Sequence, residues 1–152
     1  MHSTIAVVKE MTQEQTRQLT MALEYIPENQ RLWRASGCAK TPQEIYLECA
    51  GTYLWAAKFL RGEAADWSQL MPKSQEYSDL ASAKQLMDDW LQEFFAAIDG
   101  IDESRMGEEI DPGWGDKMPL QQFLLLPSYH TCYHAGQLNY IQTLLGDAEM
   151  HF

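Results

Sequence analysis

Two of the four histidines of this chain, His130 and His134, stand four residues apart in a segment with helical periodicity. Residues at this spacing lie about 40° apart around a helix axis and about 6 Å apart along it, so the two imidazoles project side by side. Neutral imidazole is the commonest metal ligand in proteins, and one cation can bridge such a pair. The pattern indicates a metal site; its alternative is a pair of buried histidines hydrogen-bonded to neighbouring acceptors.

The helix face on which the two histidines lie predicts where they point. At helical spacing they share a mainly apolar stripe with Leu126, Tyr133, Gln137, Ile141 and Leu144. We therefore expect both imidazoles to point into the protein. Gln137 could hydrogen-bond to a residue of the site or to another helix, and Tyr133 could line the site or pack in the core; the structural role is favoured for each. Cys132, about 200° from His130 around the axis, faces elsewhere.

A third ligand should come from another helix, because two imidazoles rarely complete a metal site. Glu48 lies among largely apolar residues, where a carboxylate is costly unless it is paired or bound to a metal. Glu44 is accounted for as a capping-box partner of Thr41, and Cys49, about 100° from Glu48 around the helix, is interpreted as a core residue. Glu48 is therefore the candidate third ligand. Its alternatives are a carboxylate paired with an imidazolium and a solvent-exposed group at a helix edge.

Four segments with helical periodicity must position these residues. In each, apolar residues recur at helical spacing, and a proline or glycine follows the last of them. The predicted helices cover approximately residues 5–26, 42–61, 76–99 and 120–145. Thr41, Pro42 and Glu44 are a capping-box signature at the start of the second helix. No segment predicts a strand.

Pro127 lies inside the fourth predicted helix, where a proline removes a backbone hydrogen bond and clashes with the preceding turn. We expect a kink or a fresh helix start near it. The segments 62–75 and 100–118 are rich in glycine, proline and acidic residues and predict loops. The second loop contains Trp114 and is a candidate lid for the site.

Length and helix content together predict the fold class. A chain of 152 residues suits one domain with one sizeable core. Four helices of about twenty residues in such a domain predict an all-α four-helix bundle with long connecting loops. We expect residues 1–152 to form this single domain.

Composition narrows the classes of partner. The net charge of -11 repels phosphate groups, so we expect no nucleic-acid partner and no anionic membrane. The apolar run at residues 5–8 is too short for a signal peptide or a membrane span. The three cysteines lack paired spacing and fit a reducing compartment, so the expected location is cytoplasmic.

The last predicted helix resembles that of the DinB-like (DinB/YfiT) superfamily. In that family an H-x-x-x-H pair is followed by Gly-Gln, and the helix ends at Leu-Gly. The segment HTCYHAGQLNYIQTLLGD has the corresponding residues His130, His134, Gly136, Gln137, Leu145 and Gly146. The segment TPQEIYLECAGTYLWAAKFLRG resembles the family's second helix, which begins with a Ser/Thr cap. The resemblance extends over the whole chain in layout and over these two segments in motif.

The resemblance implies an up-up-down-down type of bundle with a divalent metal in its core, and it implies a homodimer. The family's metal is typically held by three histidines, the first of which falls seven residues after the helix cap. Counted from Thr41, that position is Glu48, so the implied metal set is Glu48, His130 and His134. Glutamate is a competent ligand, and we interpret Glu48 as replacing the histidine. The alternative is a relic site that has lost its metal.

A site with three protein ligands leaves a position open for water or a substrate. Zinc, nickel, iron and manganese all accept two histidines and a carboxylate. Characterised proteins of the superfamily that this chain resembles include transferases and an isomerase that use low-molecular-weight thiols. The resemblance therefore implies a metal-dependent enzyme for a small-molecule substrate, with thiol transfer ahead of hydrolysis. The alternative is a non-catalytic, dimeric helical-bundle interaction protein with a vestigial metal site.

Overall fold

The computed structural model of this protein describes residues 3–151, which form four long helices and several short elements. The helices, in chain order, are α1 (Thr4–Tyr25), α2 (Pro42–Leu60), the short α3 (Trp67–Leu70), α4 (Leu80–Asp99) and α5 (Leu120–Leu144). α1 packs mainly against α5 and α2 mainly against α4, while α2 also packs against α5. The predicted all-α four-helix bundle is confirmed.

Side-chain caps determine where two of the long helices begin. At α2 the Thr41 hydroxyl accepts from the Glu44 N–H at 3.1 Å, and the Glu44 carboxylate accepts from the Thr41 N–H at 2.7 Å. This is the predicted capping box. α4 begins at Leu80 instead of residue 76, because the Asp79 carboxylate accepts from the Ser82 N–H at 2.8 Å and provides the N-cap.

Pro127 lies within α5, which is continuous from Leu120 to Leu144. The expected fresh helix start near this proline is therefore wrong. Proline removes one backbone donor from the helix, but α5 is held along its length by packing against α1 and α2. The continuity matters for the site because residues on both sides of Pro127 belong to one rigid element.

The two predicted loops contain short regular elements. The first includes α3, whose N-cap Asp66 accepts from the Ser68 N–H. The second includes an antiparallel pair of two-residue strands, β1 (Glu109–Ile110) and β2 (Met118–Pro119). The expectation of no strand is wrong here, because a two-residue pair is too short to produce a periodic pattern. The pair closes the segment between them into a loop whose tip contains Trp114.

α2 is the most deeply buried helix of the bundle. Most of its residues between Pro42 and Ala57 are buried, including the polar Glu48 and Thr52. This confirms that α2 is covered on more than one side, and it places Glu48 within the bundle. Within residues 3–151, no helix combines the length and the apolarity needed to cross a lipid bilayer.

Candidate metal centre

All three predicted metal residues come together between α2 and α5. The carboxylate oxygens of Glu48 lie 3.8 Å from His130 Nε2 and 3.8 Å from His134 Nε2, and the two Nε2 atoms are 3.1 Å apart. Glu48 and His134 are 9% and 4% exposed, and His130 is partly buried. We call these three residues the histidine–carboxylate cluster. That they bind a metal stays a prediction.

Thr52 determines which nitrogen of His130 carries the proton. The Thr52 hydroxyl donates its one hydrogen to the Glu48 carbonyl one turn earlier in α2, at 3.0 Å. The same oxygen lies 3.2 Å from His130 Nδ1. Because Thr52 has no second hydrogen to donate, it accepts from the His130 Nδ1–H. The other ring nitrogen, Nε2, faces Glu48 and His134.

Gln137 determines the tautomer of His134 in the same way. Its amide oxygen lies 2.6 Å from His134 Nδ1 and accepts from the Nδ1–H, which leaves the lone pair on Nε2. Metal-binding histidines are commonly oriented by such a contact on the second ring nitrogen. Gln137 thus acts on an imidazole of its own helix, whereas the favoured interpretation was a contact with another helix.

The charges of the cluster suit a cation. Burial, with His130 nearby, lowers the pKa of His134 and favours its neutral form. Burial acts to raise the pKa of Glu48, but the contacts with His130 and Lys40 outweigh it and lower the pKa to about 2. An ionised carboxylate therefore lies beside the Nε2 atoms of both histidines. Divalent metals accept this donor set, so the residues fit the ion that the resemblance implies.

A lysine from the segment before α2 reaches the cluster. The Lys40 ammonium contacts the Glu48 carboxylate, while the Lys40 side chain is 49% exposed. It partly balances the carboxylate charge from the solvent side. No contact described for Lys40 is to an imidazole nitrogen, so the two Nε2 atoms still face one another. The sequence contained no signal for this pairing, because Lys40 lies outside any helix.

Cys49 also lies beside the site, a position that the sequence did not predict. Its Sγ and a ring nitrogen from each of His130 and His134 lie within 4.8 Å of one another. Burial raises the pKa of the Cys49 thiol, and Glu48 adds to the effect. Cys49 is fully buried, as its interpretation as a core residue requires. The missed signal was its position next to Glu48 on a helix that is covered on several sides.

A cavity of about 760 Å³ opens beside the cluster. Its wall includes Tyr133, Tyr140 and Leu144 of α5, and Tyr133 and Leu144 are 65% and 50% exposed. Tyr133 therefore lines the cavity instead of packing in the core, which was the favoured interpretation of this residue. That part of the apolar stripe borders the cavity, whereas the core-facing side of α5 includes Thr131 and Leu138. The apolar pattern of α5 thus covers both a core face and a cavity wall.

Several solved structures share this arrangement of helices. A DinB-like protein (YjoA) from Bacillus subtilis has a TM-score of 0.71 at 16% sequence identity, over 95% of each chain. The mycothiol-dependent maleylpyruvate isomerase has a TM-score of 0.68 at 12% identity, over 91% of this chain and 63% of its own. The colibactin self-resistance protein ClbS, in complex with double-stranded DNA, has a TM-score of 0.70 at 12% identity, over 94% of this chain and 97% of its own. No protein-family model and no curated protein matches the sequence.

The complex of ClbS with double-stranded DNA corrects one expectation from the sequence. The exclusion of nucleic acid as a partner, which rested on net charge, is wrong because a protein of this fold is found bound to DNA. The physical reason is that net charge averages over the whole molecule, whereas phosphates and bases are contacted by a local surface. Charge alone therefore does not exclude this class of partner.

Proposed function

We propose that this chain, which has the DinB-like fold, is a metal-dependent enzyme whose open site is formed by Glu48, His130 and His134. When bound there, a divalent ion (zinc, nickel, iron or manganese) would lower the pKa of a thiol or a water molecule and so supply a nucleophile. Thiol-dependent S-transfer is placed ahead of hydrolysis. A small molecule is the proposed substrate.

The observation that carries the proposal is the convergence of two imidazole Nε2 atoms and an ionised carboxylate in one buried place. The Nδ1 atoms of both rings are engaged by Thr52 and Gln137, which leaves the Nε2 atoms to face the cluster. The two Nε2 atoms are 3.1 Å apart, so a single cation can lie close to both. A divalent ion would be held there by both nitrogens and the carboxylate.

The chain's own residues would position the reacting groups. Thr52 and Gln137 hold the two rings in fixed tautomers, and burial keeps His134 neutral. The 760 Å³ cavity is of the size of small-molecule sites and reaches the cluster from one side. Lys40 lies at the same cavity, where its ammonium would attract an anionic group of a substrate.

The preference for a thiol rests on a likeness of fold. The mycothiol-dependent maleylpyruvate isomerase, which shares the fold, depends on a thiol by its own name. We extend this dependence to the present chain as part of the proposal, with a low-molecular-weight thiol as co-substrate. The homodimer implied by the resemblance also stays a prediction.

One observation favours a non-catalytic alternative. The Lys40 ammonium neutralises Glu48 without any metal, as expected of a vestigial site in a helical-bundle interaction protein. In that case Lys40 would occupy the carboxylate permanently, and metal would not bind. The two candidates therefore differ in a quantity that can be measured directly.

Elemental analysis of protein purified without a histidine tag separates them. The proposal expects about one divalent metal ion per chain, lost in Glu48→Gln, in His130→Ala and in His134→Ala. His151→Ala is the matched control, because His151 stacks on Tyr25 away from the cluster and should not affect the metal. Wild-type protein without metal after dialysis against each of the four candidate ions, or metal retained in the cluster variants, would contradict the proposal.

Thermal denaturation with common low-molecular-weight thiols tests the thiol. A ligand of the folded state raises the melting temperature by mass action. We expect one thiol to stabilise metal-loaded wild type and to have no effect on Glu48→Gln. Stabilisation by none of them would favour hydrolysis over S-transfer while leaving the metal site intact.

A further inference from the structure

A second cavity, of about 550 Å³, lies on another side of His130. Three tryptophans from three separate segments line it: Trp55 of α2, Trp67 of α3 and Trp114 at the tip of the loop between β1 and β2. We call this cavity the tryptophan pocket. His130 also borders the 760 Å³ cavity, so both cavities meet at one imidazole of the histidine–carboxylate cluster.

The three indole rings present both faces and edges. Trp55 and Trp114 are stacked, with ring centroids 5.5 Å apart and planes 13° apart. Trp67 stands edge-on to Trp55, with centroids 6.5 Å apart and planes 82° apart. These are the two arrangements in which aromatic rings attract each other. A further flat ring could therefore continue the same packing within the pocket.

The loop is shaped so that Trp114 is held at the pocket. The flanking Gly113 and Gly115 have φ of +92° and +90°, a conformation that favours glycine. The Asp111 carboxylate accepts from the Gly113 N–H at 2.8 Å and fixes the turn. Trp114 is nevertheless 59% exposed. Together with Trp67, which is 38% exposed, it forms an exposed aromatic patch of the kind that marks ligand-binding grooves.

The pocket offers a ligand a large apolar surface and little polarity. The Thr52 hydroxyl at its base is already engaged by the Glu48 carbonyl and by His130. None of the described residues that line the pocket is acidic, lysine or arginine. Its wall therefore offers no opposite charge to a charged ligand that has lost its hydration. The net charge of -11 further disfavours an anion.

We propose that the tryptophan pocket binds a flat, uncharged aromatic group of the substrate and thereby presents the reactive end of the same molecule at His130. Ring binding follows from the pocket itself. The presentation of a reactive end rests on the proposed function of the histidine–carboxylate cluster. The cavity volume suits a ring of one or two six-membered cycles with a substituent.

Calorimetric titration of metal-free protein with 2-naphthol tests ring binding. We expect wild type to bind 2-naphthol. Trp114→Ala should bind it with an affinity that is lower by about tenfold or by a larger factor, because one stacking face is lost. Tyr140→Ala is the matched control: Tyr140 is an exposed ring that borders the other cavity, and its removal should leave binding unchanged. Circular dichroism would verify that both variants are folded.

Two charged analogues test the stated chemistry. 2-Naphthoate and N-methylquinolinium have rings of the same size with a negative and a positive charge, and both should bind more weakly than 2-naphthol. No binding of 2-naphthol to wild type, or equal binding to Trp114→Ala, would overturn the proposal. Tighter binding of the quinolinium would overturn it too, because it would identify an aromatic cage for cations.

The two proposals fail in different ways. In Glu48→Gln, which should lose the metal, 2-naphthol should still bind, because the tryptophan pocket is intact. If wild-type protein binds 2-naphthol but no metal, the proposed function is refuted, whereas ring binding by the tryptophan pocket is supported. In Mn²⁺-loaded wild type, the ion should enhance nuclear relaxation of the naphthol ring protons, and Trp114→Ala should abolish this effect. Ring binding without such enhancement would overturn the claim that the pocket presents its ligand to the cluster.

Discussion

Two buried polar groups lie side by side between α2 and α5, and they are completed in opposite ways. One is the histidine–carboxylate cluster. The other is formed by the hydroxyls of Thr16, Tyr53 and Thr131, which we call the hydroxyl chain. The two groups are built from adjacent residues of the sequence, since Tyr53 follows Thr52 and Thr131 follows His130. The two groups therefore share α2 and α5, and the hydroxyl chain also reaches Thr16 of α1.

The hydroxyl chain satisfies its own hydrogen bonds. The Tyr53 hydroxyl lies 2.7 Å from Thr16 Oγ1 and 2.7 Å from Thr131 Oγ1, and Thr131 donates to the Pro127 carbonyl at 2.8 Å. Thr16 donates to the Thr12 carbonyl at 2.7 Å, and Tyr53 donates to one of the two threonine oxygens. Each hydroxyl then donates once, and no further partner is required. Such a network stabilises a core.

The histidine–carboxylate cluster is left incomplete by protein atoms alone. Its two Nδ1–H groups are engaged, whereas its two Nε2 atoms face each other and the Glu48 carboxylate beside a cavity. A closed network, in which every donor has a protein partner, indicates a structural role. An open network, which lacks such partners and borders a cavity, indicates a ligand site. The comparison predicts that substitutions around the histidine–carboxylate cluster change metal affinity, whereas substitutions in the hydroxyl chain change stability.

The largest effect is expected from Thr52→Val, which removes the acceptor of the His130 Nδ1–H at almost constant volume. Metal affinity should fall about 10–100-fold, because orienting partners of metal-bound histidines have effects of this size. Competition with a chromophoric chelator measures it. Thr16→Val is the matched control, since it removes a hydroxyl from the other group and should leave metal affinity unchanged. If Thr52→Val and Thr16→Val lost metal affinity equally, the cluster would not differ from the hydroxyl chain in its role in metal binding.

Tyr53→Phe should have the next largest effect, on stability instead of metal binding. It removes the central hydroxyl of the chain and should lower the free energy of unfolding by about 1–2 kcal/mol, the value of buried hydrogen bonds lost without a cavity. Urea denaturation of metal-free protein measures this. A loss of metal affinity as large as that expected for Thr52→Val would mean that the two groups are coupled.

Acid should destabilise metal-free protein through the cluster, to a smaller extent. Burial lowers the pKa of His134 below its ordinary value of 6.5, so the unfolded chain binds more protons near that pH. Stability is therefore present above pH 6.5 and is lost as the pH falls through it. Between pH 7.5 and 5.5, the melting temperature should fall by on the order of 2 °C more in wild type than in His134→Gln.

The hydroxyl chain provides the control for this pH dependence. Burial raises the pKa of Tyr53, so no group of the chain titrates in that range. Tyr53→Phe should therefore show the same change of melting temperature with pH as wild type. If the pH dependence of the melting temperature disappeared in Tyr53→Phe but persisted in His134→Gln, His134 would not be the group that titrates.

Cys49→Ala should have the smallest effect. Burial raises the pKa of the Cys49 thiol, so in metal-free protein the thiol is protonated, whereas the Glu48 carboxylate is already ionised and binds a cation without losing a proton. We expect metal affinity to change by less than about fivefold, which is below the effect of losing an orienting hydrogen bond. Complete loss of metal in this variant would make Cys49 a ligand and would replace Glu48 in the proposed set.

Much of the framework could be read from local signals. The capping box of Thr41 and Glu44 depends on residues three apart, so it was predictable from the sequence. The side-by-side placement of His130 and His134 follows from helix geometry alone. Glu48 could be identified because a carboxylate on a helix buried on several sides is unusual in any fold.

The remaining parts of the site depend on contacts between distant segments. Thr52 is an unremarkable helix residue until α5 brings His130 Nδ1 within 3.2 Å. Cys49 could not be placed beside the histidines by its angle around α2, because a helix that is packed on several sides faces several partners. The tryptophan pocket depends on three segments that meet only in the folded chain.

The sequence by itself determined four long helices, their principal caps, and the presence of two histidines and a carboxylate on helices that must pack together. Those features are local, because they depend on periodicity and on hydrogen bonds within one or two turns. Only the tertiary structure decided that the cluster is open while the hydroxyl chain is closed. The physical reason is that a buried polar group is completed by whichever atoms lie opposite it, and those atoms belong to another helix.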